Sequence, residues 1–178
     1  MTDYRRSFVP GGSYFFTVAM ANRAGCLLTD NIGLFRRAVS DVKRELPFDL
    51  VAMVVLPEHL HCVLTLPEGD ADYQARWKKI KAAFSHGLPK GEHRSASRVA
   101  KGERGIWQRR FWEHTLRNDD DLRQHLDYIH YNPVKHGHVR CVKERPFSTF
   151  HRYVQRGVYP VDWAGGELDE MCDYGEGE

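Results

Sequence analysis

The 178-residue sequence lacks the features that mark several large protein classes. Its longest apolar run, residues 50–56, is far shorter than the ~20 residues that a membrane-spanning helix needs. The four cysteines, at positions 26, 62, 141 and 172, contain no C-x-x-C pair, which argues against a zinc knuckle and a dense disulfide framework. Cysteines spaced in this way suit a reducing cytosol, so we expect a cytoplasmic protein. With 42% hydrophobic residues the composition is that of a globular protein.

Net charge is also low, at +2, but the two signs are segregated along the chain. All 26 Lys and Arg lie at or before Arg156, whereas 7 of the 24 acidic residues follow it, so residues 1–156 carry +9 and the remainder −7. This segregation favours a polyanionic partner for the basic part, although a solvated basic surface with a frayed end would give the same pattern. We predict one domain over residues 1–160 and an acidic, flexible tail over 161–178.

The hydrophobic periodicity predicts an α+β fold. Strands are expected over residues 13–20, 48–56, 59–66 and 106–117, and helices over 32–46, 71–86 and from 118 or 119 to 131 or 132. Pro133 should end the last helix, because proline lacks an amide and disfavours α geometry before it. The order βαββαβ is typical of a ferredoxin-like (RRM-like) fold with a four-stranded antiparallel sheet, followed here by a further helix.

His59 and His61 stand two apart in the third predicted strand. Alternate residues of a strand point to the same face, so the two imidazoles should project together while Leu60 is buried behind them. Two neutral imidazoles side by side form half of a divalent-metal site. Two unrelated surface histidines would give the same pattern.

Tyr128 and Asn132 stand four apart in the last helix and should share a face. An amide oxygen is a hard ligand for Mg²⁺ or Mn²⁺, and a phenol beside it can act as a nucleophile. The structural alternative is a C-terminal helix residue and a half-buried aromatic. Tyr131, next to Asn132, is the competing nucleophile, but its side chain would point about 100° away.

Basic and aromatic residues alternate between Arg76 and Arg110, a stretch with eleven Lys or Arg and two acids. Cations that follow phosphates and rings that stack on unpaired bases suit a nucleic acid single strand. The aromatic residues can equally belong to the core, which we favour for Trp77 and leave open for Trp107 and Trp112. The basic side chains that we expect to contact phosphate are Arg5, Arg6, Lys78, Lys79, Arg109 and Arg110.

Two segments resemble a known family. PEHLHCVLTLP, residues 57–67, is similar to the histidine–hydrophobe–histidine (HUH) motif, and WQRRFWEHTLRNDDDLRQHLDYIHYNPVKHGHV, residues 107–139, resembles the signature of REP-associated tyrosine transposases. The opening YRRSFVPGGSYFFTV, residues 4–18, is similar to that family's first strand. The resemblance extends to about residue 155 and leaves the acidic tail unexplained.

The resemblance implies a metal-dependent endonuclease and strand transferase, associated with the nucleoid. It would act on single-stranded DNA folded into hairpins of repetitive extragenic palindromes (REPs). His59, His61 and Asn132 would bind Mg²⁺ or Mn²⁺, and Tyr128 would form a 5′-phosphotyrosine. We expect a monomer in preference to a homodimer. A non-catalytic module that binds single strands, or a metal hydrolase that uses the H-x-H pair, would fit the residues alone.

Overall fold

The computed structural model describes residues 6–163, so Arg5 and residues 164–178 of the predicted tail lie outside the described part of the chain. The strands are β1 (Ser13–Ala19), β2 (Asp49–Val55), β3 (His59–Thr65) and β4 (Trp112–Thr115). The helices are α1 (Leu27–Asp30), α2 (Ile32–Glu45), α3 (Tyr73–Gly87), α4 (Ala96–Ala100), α5 (Asp119–Lys135) and α6 (Phe150–Gln155). A 3₁₀ turn covers Val142–Glu144.

The four strands form one antiparallel sheet in the order β2-β3-β1-β4. This order and the βαββαβ succession confirm the predicted ferredoxin-like α+β fold. Helices α2 and α3 cover one face, where Phe16, Leu60 and Trp77 belong to the main core. Helix α5 covers the other face, packing Ile129 against Phe15 and neighbouring aliphatic side chains. The burial of Trp77 agrees with its assignment to the core.

The fourth strand is much shorter than the predicted 106–117. Strand β4 pairs with β1 from Thr115, opposite Tyr14, to Trp112, opposite Thr17. An isolated bridge then joins Met20 to Trp107, which is two residues out of step with that ladder. The chain between Trp107 and Trp112 is two residues too long to pair in register, so it forms an irregular connection instead of continuing the strand. Trp107, which the sequence left open, is buried in the main core.

Helix α5 continues past Pro133 to Lys135, so the prediction that Pro133 ends it was wrong. Its actual end is set by Gly137, which has φ +69°. The Gly137 amide donates to the Val134 carbonyl and the His138 amide to the Pro133 carbonyl. This is the Schellman arrangement, in which glycine at the left-handed position lets the last carbonyls find donors. Asn132 therefore lies inside the helix, where its side chain has a fixed direction.

The segment after α5 covers the edge strand β2. Ser148 bridges Val54, and the Thr149 amide donates to the Met53 carbonyl at 2.8 Å. The Arg145 Nε donates to the carbonyl of Val55 at 3.0 Å. These bonds satisfy backbone groups that an exposed edge would offer to other chains.

Trp163 still packs against Tyr159, three residues beyond the predicted domain boundary. Within residues 6–163, no helix combines the length and the apolar character that crossing a membrane requires.

Candidate active site

His59 and His61 lie on the face of β3 that packs toward α5, and their Nε2 atoms are 3.1 Å apart. Leu60 points into the opposite core, as strand alternation predicts. Two nitrogen ligands held about 2.1 Å from one ion at a right angle would be about 3.0 Å apart. The separation of the two Nε2 atoms therefore fits a pair of ligands to one cation.

The other ring nitrogen of each histidine has a partner that orients the ring. The His59 Nδ1 lies 3.0 Å from the Glu58 carboxylate, which can only accept, so Nδ1 carries the proton and Nε2 keeps its lone pair. The His61 Nδ1 lies 2.9 Å from the Thr17 hydroxyl, directly across the β1–β3 ladder. Histidine ligands in metal sites are oriented in this way. Sequence reasoning missed both partners: Glu58 precedes the motif directly, whereas nothing local marks Thr17.

Both imidazoles are held in the neutral form. Burial lowers the pKa of His61 well below its ordinary value, and electrostatic interactions with His59, His136, Lys135 and Arg23 lower it further. Burial also lowers the pKa of His59, although Glu58 opposes the shift. Neutral imidazole is the form that binds a metal ion. The pair is therefore ready to act as ligands near neutral pH.

Asn132 is fully buried, and neither its amide oxygen nor its amide nitrogen has a hydrogen-bond partner. Tyr128 and His136 lie one helical turn before and after it, and their rings stand 5.2 Å from the His61 ring and 6.0 Å from the His59 ring. Asn132 thus lies on the helix face that meets the histidine pair. Because buried amides are normally bonded, the unpaired Asn132 oxygen fits the third ligand that the resemblance implies.

The two candidate nucleophiles lie in different places. Tyr128 is 2% exposed and packs against His61 and Phe15. Tyr131 packs instead beside Val142 and Phe150, in the cluster that holds the C-terminal segment. The geometry therefore brings Tyr128, and not Tyr131, to the histidine pair.

A second group of potential ligands, His114, Asp121 and His125, places three ligand-type atoms within 4.8 Å of one another at the start of α5. Asp121 accepts from the Arg117 Nε at 3.1 Å and lies 3.0 Å from the His114 Nε2. The His125 Nδ1 lies 2.7 Å from the Asp121 carbonyl, so this nitrogen carries a proton and is not available to a metal. Burial raises the pKa of Asp121, but the bonds from His114 and Arg117 outweigh it and hold the value at about 2. The same hydrogen bonds clamp β4 to the start of α5.

A groove of about 990 Å³ lies on the opposite side of the sheet, along α3. It is lined by three of the predicted phosphate contacts, Arg6, Lys78 and Arg109, together with Trp107 and Lys81. The Lys81 Nζ donates to the Gln108 carbonyl at 2.7 Å. Burial lowers the pKa of Lys81 to about 8, and the charge of Arg6 adds to the effect. Lys81 was not among the predicted contacts, because the sequence alone does not distinguish a partly buried lysine from an exposed one.

Three other predicted contacts lie elsewhere or outside the described residues. Lys79 forms an ion pair with Glu45 of α2 and does not line the groove. Arg110 is exposed beside Arg109 in the irregular connection before β4. Arg5 belongs to the undescribed residues 1–5. The structure therefore gathers only part of the predicted basic set into one surface.

No protein-family model matches the chain, but individual proteins resemble it over its whole length. It is 50% identical to the REP-associated tyrosine transposase of Escherichia coli K12 over 178 residues, which is 100% of this chain and 98% of the relative. A Haemophilus influenzae relative is 48% identical over 166 residues, covering 93% of this chain and 94% of that protein. A solved structure of a REP-associated tyrosine transposase bound to a REP hairpin superposes with a TM-score of 0.84 at 50% identity, covering 100% of this chain and 98% of the other. The chain belongs to the REP-associated tyrosine transposases.

Proposed function

We propose that the chain is a metal-dependent endonuclease and strand transferase that cuts single-stranded DNA beside REP hairpins through a 5′-phosphotyrosine on Tyr128. The observation that carries the proposal is the convergence of the two Nε2 atoms with the unpaired Asn132 amide and the Tyr128 ring. The whole-length similarity to a transposase that was solved with a REP hairpin supports the choice of substrate.

The reaction is a transesterification. A divalent ion, Mg²⁺ or Mn²⁺, held by His59, His61 and Asn132 would supply a Lewis acid beside the non-bridging oxygens of the scissile phosphate. The Tyr128 Oη attacks phosphorus, so that the Oη–P bond forms while the P–O3′ bond breaks. The leaving strand keeps a free 3′-OH, and the phosphodiester energy stays in the tyrosine ester. Attack by a 3′-OH reverses the step and joins strands without ATP.

We assign the α3 groove to the DNA backbone. Arg6, Lys78 and Arg109 place three cations along it, and Trp107 lies at its wall. Arg109 is paired with Glu103 of the same groove at 2.8 Å, so Lys78 is the better contact to test. Loss of one phosphate contact should reduce the slope of log affinity against log salt by about 0.7 for a single strand. Lys78→Ala should show this loss. Lys79→Ala is the matched control, because Lys79 pairs with Glu45 outside the groove. An equal reduction of the salt slope in Lys79→Ala would show that Lys79 also contacts the DNA.

We further propose that the protein acts as a monomer. His61 and Tyr128 of the same chain are in ring contact, and both lie against Phe15. The site therefore needs no residue from a second copy. Light scattering of the complex with one hairpin should give one chain per hairpin, and a dimer would contradict this part.

One experiment separates the proposed function from the two other classes. The full chain, Mn²⁺ and a labelled REP hairpin with single-stranded flanks are incubated and run on a denaturing gel. A covalent band that disappears in Tyr128→Phe and persists in Tyr131→Phe supports the proposal. Cleavage without a covalent band would establish a hydrolase, and binding without cleavage would establish a non-catalytic module.

A further inference from the structure

Lys135 lies over the ring of Tyr128. It stands seven residues, or two turns, after Tyr128 on α5, so the two side chains share one helix face. The Lys135 Nζ is 5.5 Å from the centroid of the Tyr128 ring. Tyr128 is 2% exposed, whereas Lys135 is exposed to solvent. A phosphate that reaches Tyr128 from solvent would therefore meet this ammonium group beside the ring.

Positive charge gathers around the same point. Lys135, Arg23 and His136 all act electrostatically on His61 and contribute to lowering its pKa, after burial. The Glu58 carboxylate lies 3.0 Å from the His59 Nδ1. Lys135 and Arg23 therefore bring fixed positive charge to the place where an anion would approach. Such a site favours a phosphate diester over a neutral group.

We propose that Lys135 is a catalytic residue that binds a non-bridging oxygen of the scissile phosphate and stabilises the charge that develops there as Tyr128 attacks. This role rests on the proposed function. In the step the Tyr128 Oη–P bond forms and the P–O3′ bond breaks. The phenolic proton leaves to solvent and the 3′-oxygen takes one up, while Lys135 remains protonated. A cation placed beside the charge that develops in the transition state lowers the barrier electrostatically.

A purely structural role for Lys135 is the alternative that the test must separate. A lysine in the last turn of a helix interacts favourably with the negative end of the helix dipole. Losing that interaction would lower stability slightly and would not depend on the charge of the substrate. A catalytic role requires a charged scissile phosphate. The two roles therefore differ in their response to a substrate whose scissile phosphate is neutral.

The test compares Lys135→Ala, Lys135→Arg and the control Arg123→Ala, an exposed cation of the same helix that lines a different cavity with Trp163. The substrates are a REP hairpin with a natural scissile phosphate and one with a methylphosphonate there, in Mn²⁺. We expect Lys135→Ala to form the covalent adduct about 10²–10³-fold more slowly on the natural phosphate. On the methylphosphonate it should match the wild type within about threefold. Lys135→Arg should recover part of the rate, and Arg123→Ala should be unaffected.

The outcomes separate this role from the proposed function. If the wild type forms the adduct and Lys135→Ala does so at the same rate, the role of Lys135 is refuted while the function stands. An equal defect on both substrates would also refute it, because a structural role would not distinguish them. If the wild type forms no adduct, or Tyr128→Phe still forms one, the proposed function and the role of Lys135 fall together.

Discussion

Replacing Asn132 by leucine should make the protein more stable while removing its response to metal. The Asn132 amide is fully buried with two unbonded polar atoms, and each such atom costs about 1–3 kcal/mol. Leucine has a similar shape, carries no polar group, and has a higher helix propensity, by about 0.5 kcal/mol. Taking the lower bound for each atom, we expect Asn132→Leu to raise the free energy of unfolding by about 2 kcal/mol. For a chain of this size the corresponding rise in Tm is about 4–8 °C.

The measurement is calorimetry of both proteins with EDTA and then with Mn²⁺. A ligand at 100 times its Kd stabilises the native state by about 2.7 kcal/mol, so the wild type should gain Tm with the metal. Asn132→Leu should gain much less and should form no covalent adduct. The combination of higher stability and lost activity is typical of a residue that is retained for function at the expense of folding.

Asn118 offers a control of opposite sign on the same helix. Its Oδ1 caps α5 by accepting from the Asp121 amide at 2.8 Å. Asn118→Leu should therefore destabilise the protein by about 1 kcal/mol and leave the Mn²⁺ response intact. A Tm for Asn132→Leu that falls below the wild type in EDTA would refute the reasoning, because it would mean that the buried amide contributes to the fold.

Three further predictions concern acid stability, DNA affinity and metal affinity. Asp121 has a folded pKa of about 2 against an unfolded value near 3.9. Its ionised form therefore contributes about 2 kcal/mol to the free energy of unfolding above pH 4, and this contribution is lost as the pH falls toward 2. Urea unfolding of Asp121→Asn should lack this loss. The pKa of Lys81 is about 8, so this side chain loses its positive charge between pH 7 and 9. DNA affinity measured by fluorescence anisotropy should therefore fall by about fivefold over that range. Lys81→Arg should flatten the pH profile of the affinity. Thr17→Val removes the hydroxyl beside the His61 Nδ1, so adduct formation should need about 10–100-fold more Mn²⁺. An unchanged Mn²⁺ requirement would show that Thr17 does not orient the His61 ring.

Much of the candidate site was predictable because its spacings are local. The alternation of β3 puts His59 and His61 on one face, and the helical repeat puts Tyr128 and Asn132 on one face. Both relations depend on a few neighbouring residues. The helix end was mispredicted for a local reason too: Pro133 received more weight than the glycine at position 137, whose positive φ sets the end.

The α3 groove illustrates what sequence could not give. Lys78 and Lys79 are adjacent and look equivalent, yet one lines the groove and the other pairs with Glu45. Successive helix residues point about 100° apart, and which direction faces the groove depends on how α3 packs on the sheet. The groove and the histidine pair also lie on opposite sides of that sheet, a relation that composition cannot reveal.

By itself the sequence determined the order of the elements, the shared faces of the two motifs, and a family resemblance that the comparisons confirmed. The tertiary structure decided which faces meet. It placed Thr17 against His61 across 44 residues of chain, brought the Tyr128 face of α5 onto the histidine face of β3, and left Lys135 above the Tyr128 ring. The physical reason is that periodicity is encoded by neighbours, whereas strand register and helix docking are set by the burial of side chains from distant segments.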